Sequence, residues 1–162
     1  MTNKENEFLH VIEADKGRIR RICRNYSSDQ AESDDLFQDV LFHLWKSFDS
    51  FRGESSRSTW VFRVTLYTCM DYHRKAKRQN EAVDEYQAIL SLPEEDREPR
   101  NRALHYAIGK LRDIDRAIML LYLEERSYAE IASILGISAS NVGVRITRAK
   151  TKLKEIMEKH EN

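Results

Sequence analysis

Five apolar residues near the end of the chain, Val142, Ile146, Ala149, Leu153 and Ile156, recur at i, i+4, i+7, i+11 and i+14. Only an α-helix gathers that spacing into one stripe; a strand would scatter it over two faces. Just upstream, Ser127 precedes Glu130 by three residues, the spacing of a capping box, and opens a short helix reaching Leu135. Gly136 supplies a turn and Ser138 a cap for the long helix that follows. The stretch SYAEIASILGISASNVGVRITRAK (127–150) therefore reads as two helices joined by a tight glycine turn.

The same period runs through the rest of the chain. Residues 6–26 place Phe8, Val11, Ile12, Ile19, Ile22 and Tyr26 on one side of a first helix. Ser33 is read as the cap of a second, running to about Phe48, with Phe37, Leu41, Leu44 and Phe48 as its stripe. DSFRGESSR (49–57) is a loop, and Ser58 or Thr59 opens a third helix to about Arg78. Its inward stripe is read as Val61, Thr65, Thr68 and Tyr72. From Gln79 to Pro99 the periodicity fades, acids dominate and Pro93 interrupts, although YQAIL (86–90) suits a helical turn. Leu104, Ile108 and Leu111 then mark a further helix, and Asp113 is read as capping one that buries Ile114, Ala117, Ile118 and Leu121.

Two prolines and five glycines leave little turn chemistry for a many-stranded fold. The expected fold is all-α. An N-terminal helical bundle (1–79) and a C-terminal helix–turn–helix domain (100–162) are joined by a flexible acidic linker (80–99).

Several function classes fall away. Cys23 and Cys69 form no CxxC and have no histidine at metal-ligand spacing, so buried thiols are expected and no metal or cofactor is implied. The longest mostly apolar run, AIMLLYL (117–123), is too short to span a bilayer, and a cytoplasmic protein is expected. DDLFQD superficially looks like an Asp-rich magnesium helix, but two small halves cannot enclose the catalytic cavity such a helix serves. No convergent catalytic set is present, so no enzyme is expected.

The net charge of zero conceals segregation. Residues 51–80 carry seven basic and two acidic side chains, residues 81–100 two basic and seven acidic, and 141–154 five basic and no acidic. Basic patches fit nucleic acid; an acidic segment does not. Three surfaces follow. If Val142, Ile146 and Ala149 face inward, Ser140, Gly143, Val144, Thr147 and Arg148 face outward, flanked by Ser138, Asn141 and Arg145. Hydroxyls, an amide, methyl groups and an arginine suit base edges in a DNA major groove, and Lys150, Lys152 and Lys154 suit phosphates. A second stripe, Arg63, Tyr67, Met70, Arg74 and Lys77 or Arg78, with Trp60 one turn earlier, interleaves aromatics with cations in a way that suits single-stranded bases. The preceding FRGESSR loop is a pocket candidate for one flipped base. Third, Asp35, Gln38, Asp39, Phe42 and Lys46 line a face away from the core stripe, and acid beside an aromatic fits a protein partner.

Together, residues 31–75 and 112–153 resemble a bacterial RNA polymerase sigma factor of the extracytoplasmic-function group of the sigma-70 family. The resemblance rests jointly on DLFQD, on FRGESS followed by TW, and on SYAEIA…GIS…V..R..RAK, in the family's order. It implies a promoter-specificity subunit that binds core RNA polymerase, reads a −35 element as duplex and holds a −10 element as single strand. Asp35, Leu36, Gln38, Asp39 and Phe42 would dock on the polymerase. Phe51, Arg52, Gly53, Glu54, Ser55, Ser56, Arg57, Trp60, Arg63, Tyr67, Arg74 and Lys77 would serve the −10 element. Ser138, Ser140, Asn141, Gly143, Val144, Arg145, Thr147 and Arg148 would read the −35 element.

An anti-sigma factor is a further implied partner, and no membrane insertion is implied. The family often has Thr at position 141, basic or hydroxyl residues at 143 and 144 and Gly at 125, and some relatives carry a DNA-contacting arginine at 121; this chain has Asn141, Gly143, Val144, Glu125 and Leu121. The competing reading is a stand-alone helix–turn–helix regulator of the two-component effector type, which leaves residues 31–78 without a role.

Overall fold

The computed structural model describes residues 2–51, 53, 55–79 and 99–161. Helix α1 spans Asn3–Asn25, α2 Gln30–Ser47 and α3 Arg57–Gln79, with a 3-10 turn at Phe48–Ser50 between the last two. The second half contains α4 Pro99–Gly109, α5 Asp113–Leu123, α6 Tyr128–Leu135 and α7 Ala139–Glu161. No strand occurs among the described residues. The linker reading, from residue 80 to 98 and including YQAIL, lies outside them.

Helices α1, α2 and α3 pack pairwise into a bundle, and α7 lies across α4, α5 and α6. Ile19, Ile22, Leu36, Val40, Leu44, Phe62 and Leu66 fill the first half. Ile108, Ile118, Leu121, Ile131, Ile134 and Ile146 fill the second, and the buried side chains of both belong to one continuous apolar cluster. The halves meet where α3 packs on α6 and α1 on α4. At that seam Arg116 is buried, its guanidinium 5.0 Å from the Tyr26 ring, and it donates to the Gly109 carbonyl at 2.5 Å. Burial pushes the Tyr26 phenol well up and draws the Arg116 guanidinium down.

Three helix starts differ from the sequence reading. Asp29, not Ser33, caps α2, its carboxylate accepting from the Glu32 amide at 2.7 Å. Ser33 is buried inside the first turn. Helix α3 begins at Arg57, because Ser56 Oγ accepts from the Thr59 amide at 3.1 Å. Asp113 opens α5 without capping it; its carboxylate faces His73 across the seam at 3.0 Å.

The α2 stripe is also wider than its spacing implied. Leu36 and Val40 are fully buried while Leu41 is half-buried, since α2 is packed on by both α1 and α3. On α3 the buried set includes Phe62, Leu66, Cys69 and Met70 in addition to Val61 and Thr65. Cys23 and Cys69 are buried free thiols with their Sγ atoms 4.0 Å apart, and burial raises the Cys69 pKa.

Candidate nucleic-acid interface

The helix pair at 127–150 is built by its caps. Ser127 Oγ accepts from the Glu130 amide at 3.1 Å while the Glu130 carboxylate accepts from the Ser127 amide at 3.2 Å, so two of the orphan donors at the start of α6 are satisfied. Gly136 sits at φ 71°, in the left-handed region that favours glycine, and closes α6. Ser138 Oγ then accepts from the Asn141 amide at 3.0 Å and starts α7. Val142, Ile146, Ala149 and Leu153 are buried against the rest of the half.

Ser138, Ser140, Asn141, Val144, Thr147 and Arg148 are consequently exposed on the far side of α7. Arg145 is held sideways by Asp115 at 2.9 Å and by Asn141 at 3.2 Å. Lys150 donates to the Tyr122 hydroxyl at 2.9 Å, which raises its pKa, and Lys152 and Lys154 are exposed further along. Leu121 is fully buried, so position 121 offers this chain no DNA contact.

Sequence reasoning missed Tyr128. Its ring, 43% exposed, lies beside Gly143 across the helix–helix angle. The available signal was a glycine within a helix, costly by about 1 kcal/mol relative to alanine, beside the first residue of the partner helix.

The α3 surface is arranged differently from its sequence pattern. Trp60 is only 9% exposed and stacks obliquely on Phe51 (centroids 5.2 Å), with Phe48 at 6.0 Å; it anchors the loop to the bundle and is not free to meet a base. Met70 is buried. Arg63 donates to the Ile134 carbonyl at 3.1 Å and the Ser133 carbonyl at 2.5 Å. The Tyr67 hydroxyl donates to the Leu135 carbonyl at 3.2 Å. Both therefore clasp the C-terminal end of α6. Arg57 and Arg74 are exposed, as are Gly53 and Ser56, while Phe51 and Ser55 are half-buried. Arg52 and Glu54 lie outside the described residues, as does the side chain of Lys77.

On α2, Asp35, Gln38, Asp39 and Phe42 form an exposed strip, with Phe42 57% exposed and the Lys46 ammonium 5.7 Å from its ring. Leu36 does not belong to that strip: at 1% exposure it is core, one side of the helix away. Nothing among the described residues gathers three or more His, Cys, Asp or Glu into a metal site, and no described helix is long and apolar enough to cross a membrane.

Comparison with known proteins covers both halves. Residues 11–79 match the family model for Sigma-70 region 2, and residues 101–153 that for Sigma-70, region 4. RNA polymerase sigma factor YlaC of Bacillus subtilis is 32% identical over 77% of this chain and 77% of its own. ECF RNA polymerase sigma factor SigW of the same organism is 27% identical over 93% and 89%. In fold, the chain resembles the sigma factor RpoE solved with the anti-sigma factor NepR from Bartonella quintana: TM-score 0.72, 24% identity, 95% and 96% coverage. It also resembles CnrH solved with the cytosolic domain of CnrY, with a TM-score of 0.71 at 22% identity, over 95% and 89% of the two chains.

Proposed function

The chain belongs to the sigma-70 family of RNA polymerase sigma factors, in its extracytoplasmic-function group, and from that premise we propose how its surfaces divide the work of promoter recognition. It is an alternative sigma factor that directs RNA polymerase to promoters. The observation that carries the division is the coexistence of two unlike exposed faces in one chain. One is the capped, hydroxyl- and arginine-bearing outer side of α7 with its lysine flank; the other is the acidic strip around Phe42 on α2.

DNA repels carboxylates, so the α2 strip (Asp35, Gln38, Asp39, Phe42) meets core polymerase. The α7 face (Ser138, Ser140, Asn141, Val144, Thr147, Arg148) enters the major groove of the −35 duplex, with Gly143 permitting close approach and Arg145 braced at its edge. Residues 51–57 with Arg63, Tyr67, Arg74 and Lys77 hold the separated −10 strand, and Trp60 supports that loop from beneath. Arg63 gives two of its N–H donors and Tyr67 its hydroxyl proton to α6 carbonyls, which turns both side chains onto α6, so their engagement of −10 DNA requires α3 and α6 to part. The protein carries no catalytic chemistry of its own and acts in the cytoplasm. An anti-sigma factor holding the halves together is the natural regulator, since RpoE, which is similar in fold, was solved with the anti-sigma factor NepR. A stand-alone helix–turn–helix regulator would leave the α2 strip unused.

Run-off transcription with core polymerase on a promoter library tests the reading. Initiation that depends on the protein supports it; tight duplex binding without any association with core would overturn it.

A further inference from the structure

Gly143 lies in the first turns of α7, where its backbone is helical and no positive φ calls for glycine. Packing does not require it either. A Cβ at this position would meet only the Tyr128 ring, at 3.5 and 3.7 Å, which is ordinary van der Waals contact. Alanine would therefore fit and would favour the helix. What glycine provides is access: the exposed Tyr128 ring stays uncovered in the lining of a shallow, open recess.

The recess is apolar where it matters. Ala139 and Val144, the latter 47% exposed, form two of its sides. Thr147 forms a third; its hydroxyl donates back to the Gly143 carbonyl at 3.1 Å, which leaves its methyl as the group offered outward. Arg148 stands at the rim, and the exposed Lys152 and Lys154 continue along the helix. A shallow, mostly apolar recess with Ser140 in its lining and one arginine at its edge, on the face of a helix sized for the major groove, has one complementary group in duplex DNA. The C5-methyl of thymine is the apolar feature that base pairs display there, and phosphates flank it on both sides.

We propose that Tyr128, though it stands on the neighbouring helix α6, is a specificity-determining residue: its ring, uncovered by Gly143, lines a recess that receives the 5-methyl group of one thymine in the −35 duplex. The inference rests on α7 reading duplex DNA and adds which chemical feature it reads and with what.

The test uses full-length protein assembled with core polymerase. Promoters are selected from a library randomised in the −35 region, and each selected thymidine is then replaced singly by deoxyuridine, which removes only the methyl. At one fixed position the replacement weakens binding roughly three- to tenfold, the scale of one buried methyl, while the others change little. Tyr128→Ala and Gly143→Leu, the second covering the ring, each abolish that thymidine-over-deoxyuridine ratio. Because both duplexes are bound by the same variant, a general loss of stability leaves the ratio intact and cannot imitate the result. A flat scan, no invariant thymine, or a ratio unchanged by both variants overturns the proposal while promoter-dependent initiation still stands. Failure to select any duplex or to initiate would overturn the sigma-factor division of labour along with it.

Discussion

Glu125 holds φ at 62°, in the left-handed region where a side chain crowds its own backbone. The position follows the end of α5, and the Glu125 and Arg126 amides donate to the Tyr122 and Leu121 carbonyls at 3.0 and 3.1 Å, so the conformation is imposed by helix closure. Glu125→Gly should raise stability by about 1 kcal/mol, visible as a rise of a few degrees in thermal unfolding. A fall in Tm would mean that the glutamate carries an interaction outweighing its strain. The docking role proposed for α2 is testable at one residue. Asp39→Arg should weaken association with core polymerase by roughly tenfold at low salt, less as salt rises, with helicity unchanged. Equal affinity would remove this strip from the docking surface. The exposed members of the strip were legible from their spacing. Leu36 was not, because a period locates an apolar arc but does not say that neighbours on two sides will widen it.

At the scale of elements, caps were legible where local bonds decide and illegible where a distant partner competes. Ser127 with Glu130, Gly136 and Ser138 all act as their spacing implies. Asp113 has equally good cap chemistry but turns to His73 on α3, a residue forty positions away that no local pattern reveals. Ser127→Ala should cost about 1 kcal/mol. Hydrogen bonds from the Ser127 amide and hydroxyl, then from Arg126, hold the Glu130 carboxylate below its usual range. A depressed carboxylate stabilises above its ordinary pKa and loses that contribution as pH falls through the lowered folded value. The stability advantage of the native chain over Glu130→Gln should therefore be present at neutral pH and vanish in acid. Denaturant unfolding at several pH values would show it, and a gap that widened in acid would refute the assignment.

In the whole molecule the two halves are pinned by contacts that individually contribute little. Arg21 makes a bidentate pair with Glu124 at 2.7 and 2.9 Å, of a kind that contributes at most about 1 kcal/mol when exposed, and the half-buried His105 ring meets Asn25 at 3.0 Å, on the scale of about 1 kcal/mol for one hydrogen bond. The clasp of Arg63 and Tyr67 on α6 is the part that overlaps with the proposed −10 surface. Arg63→Ala combined with Tyr67→Phe should increase the radius of gyration of the free protein in X-ray scattering while far-ultraviolet circular dichroism stays unchanged. An unaltered radius would show that the apolar seam alone holds the halves. Sequence reading sent both residues to DNA because a cation and an aromatic at helical spacing are compatible with many acceptors, and a backbone carbonyl leaves no trace in the sequence. The acceptors at residues 133, 134 and 135 are main-chain oxygens, which every amino acid supplies. Side-chain substitution along α6 therefore cannot delete the acceptors, and within this clasp only the two α3 donors, Arg63 and Tyr67, are open to removal by mutation.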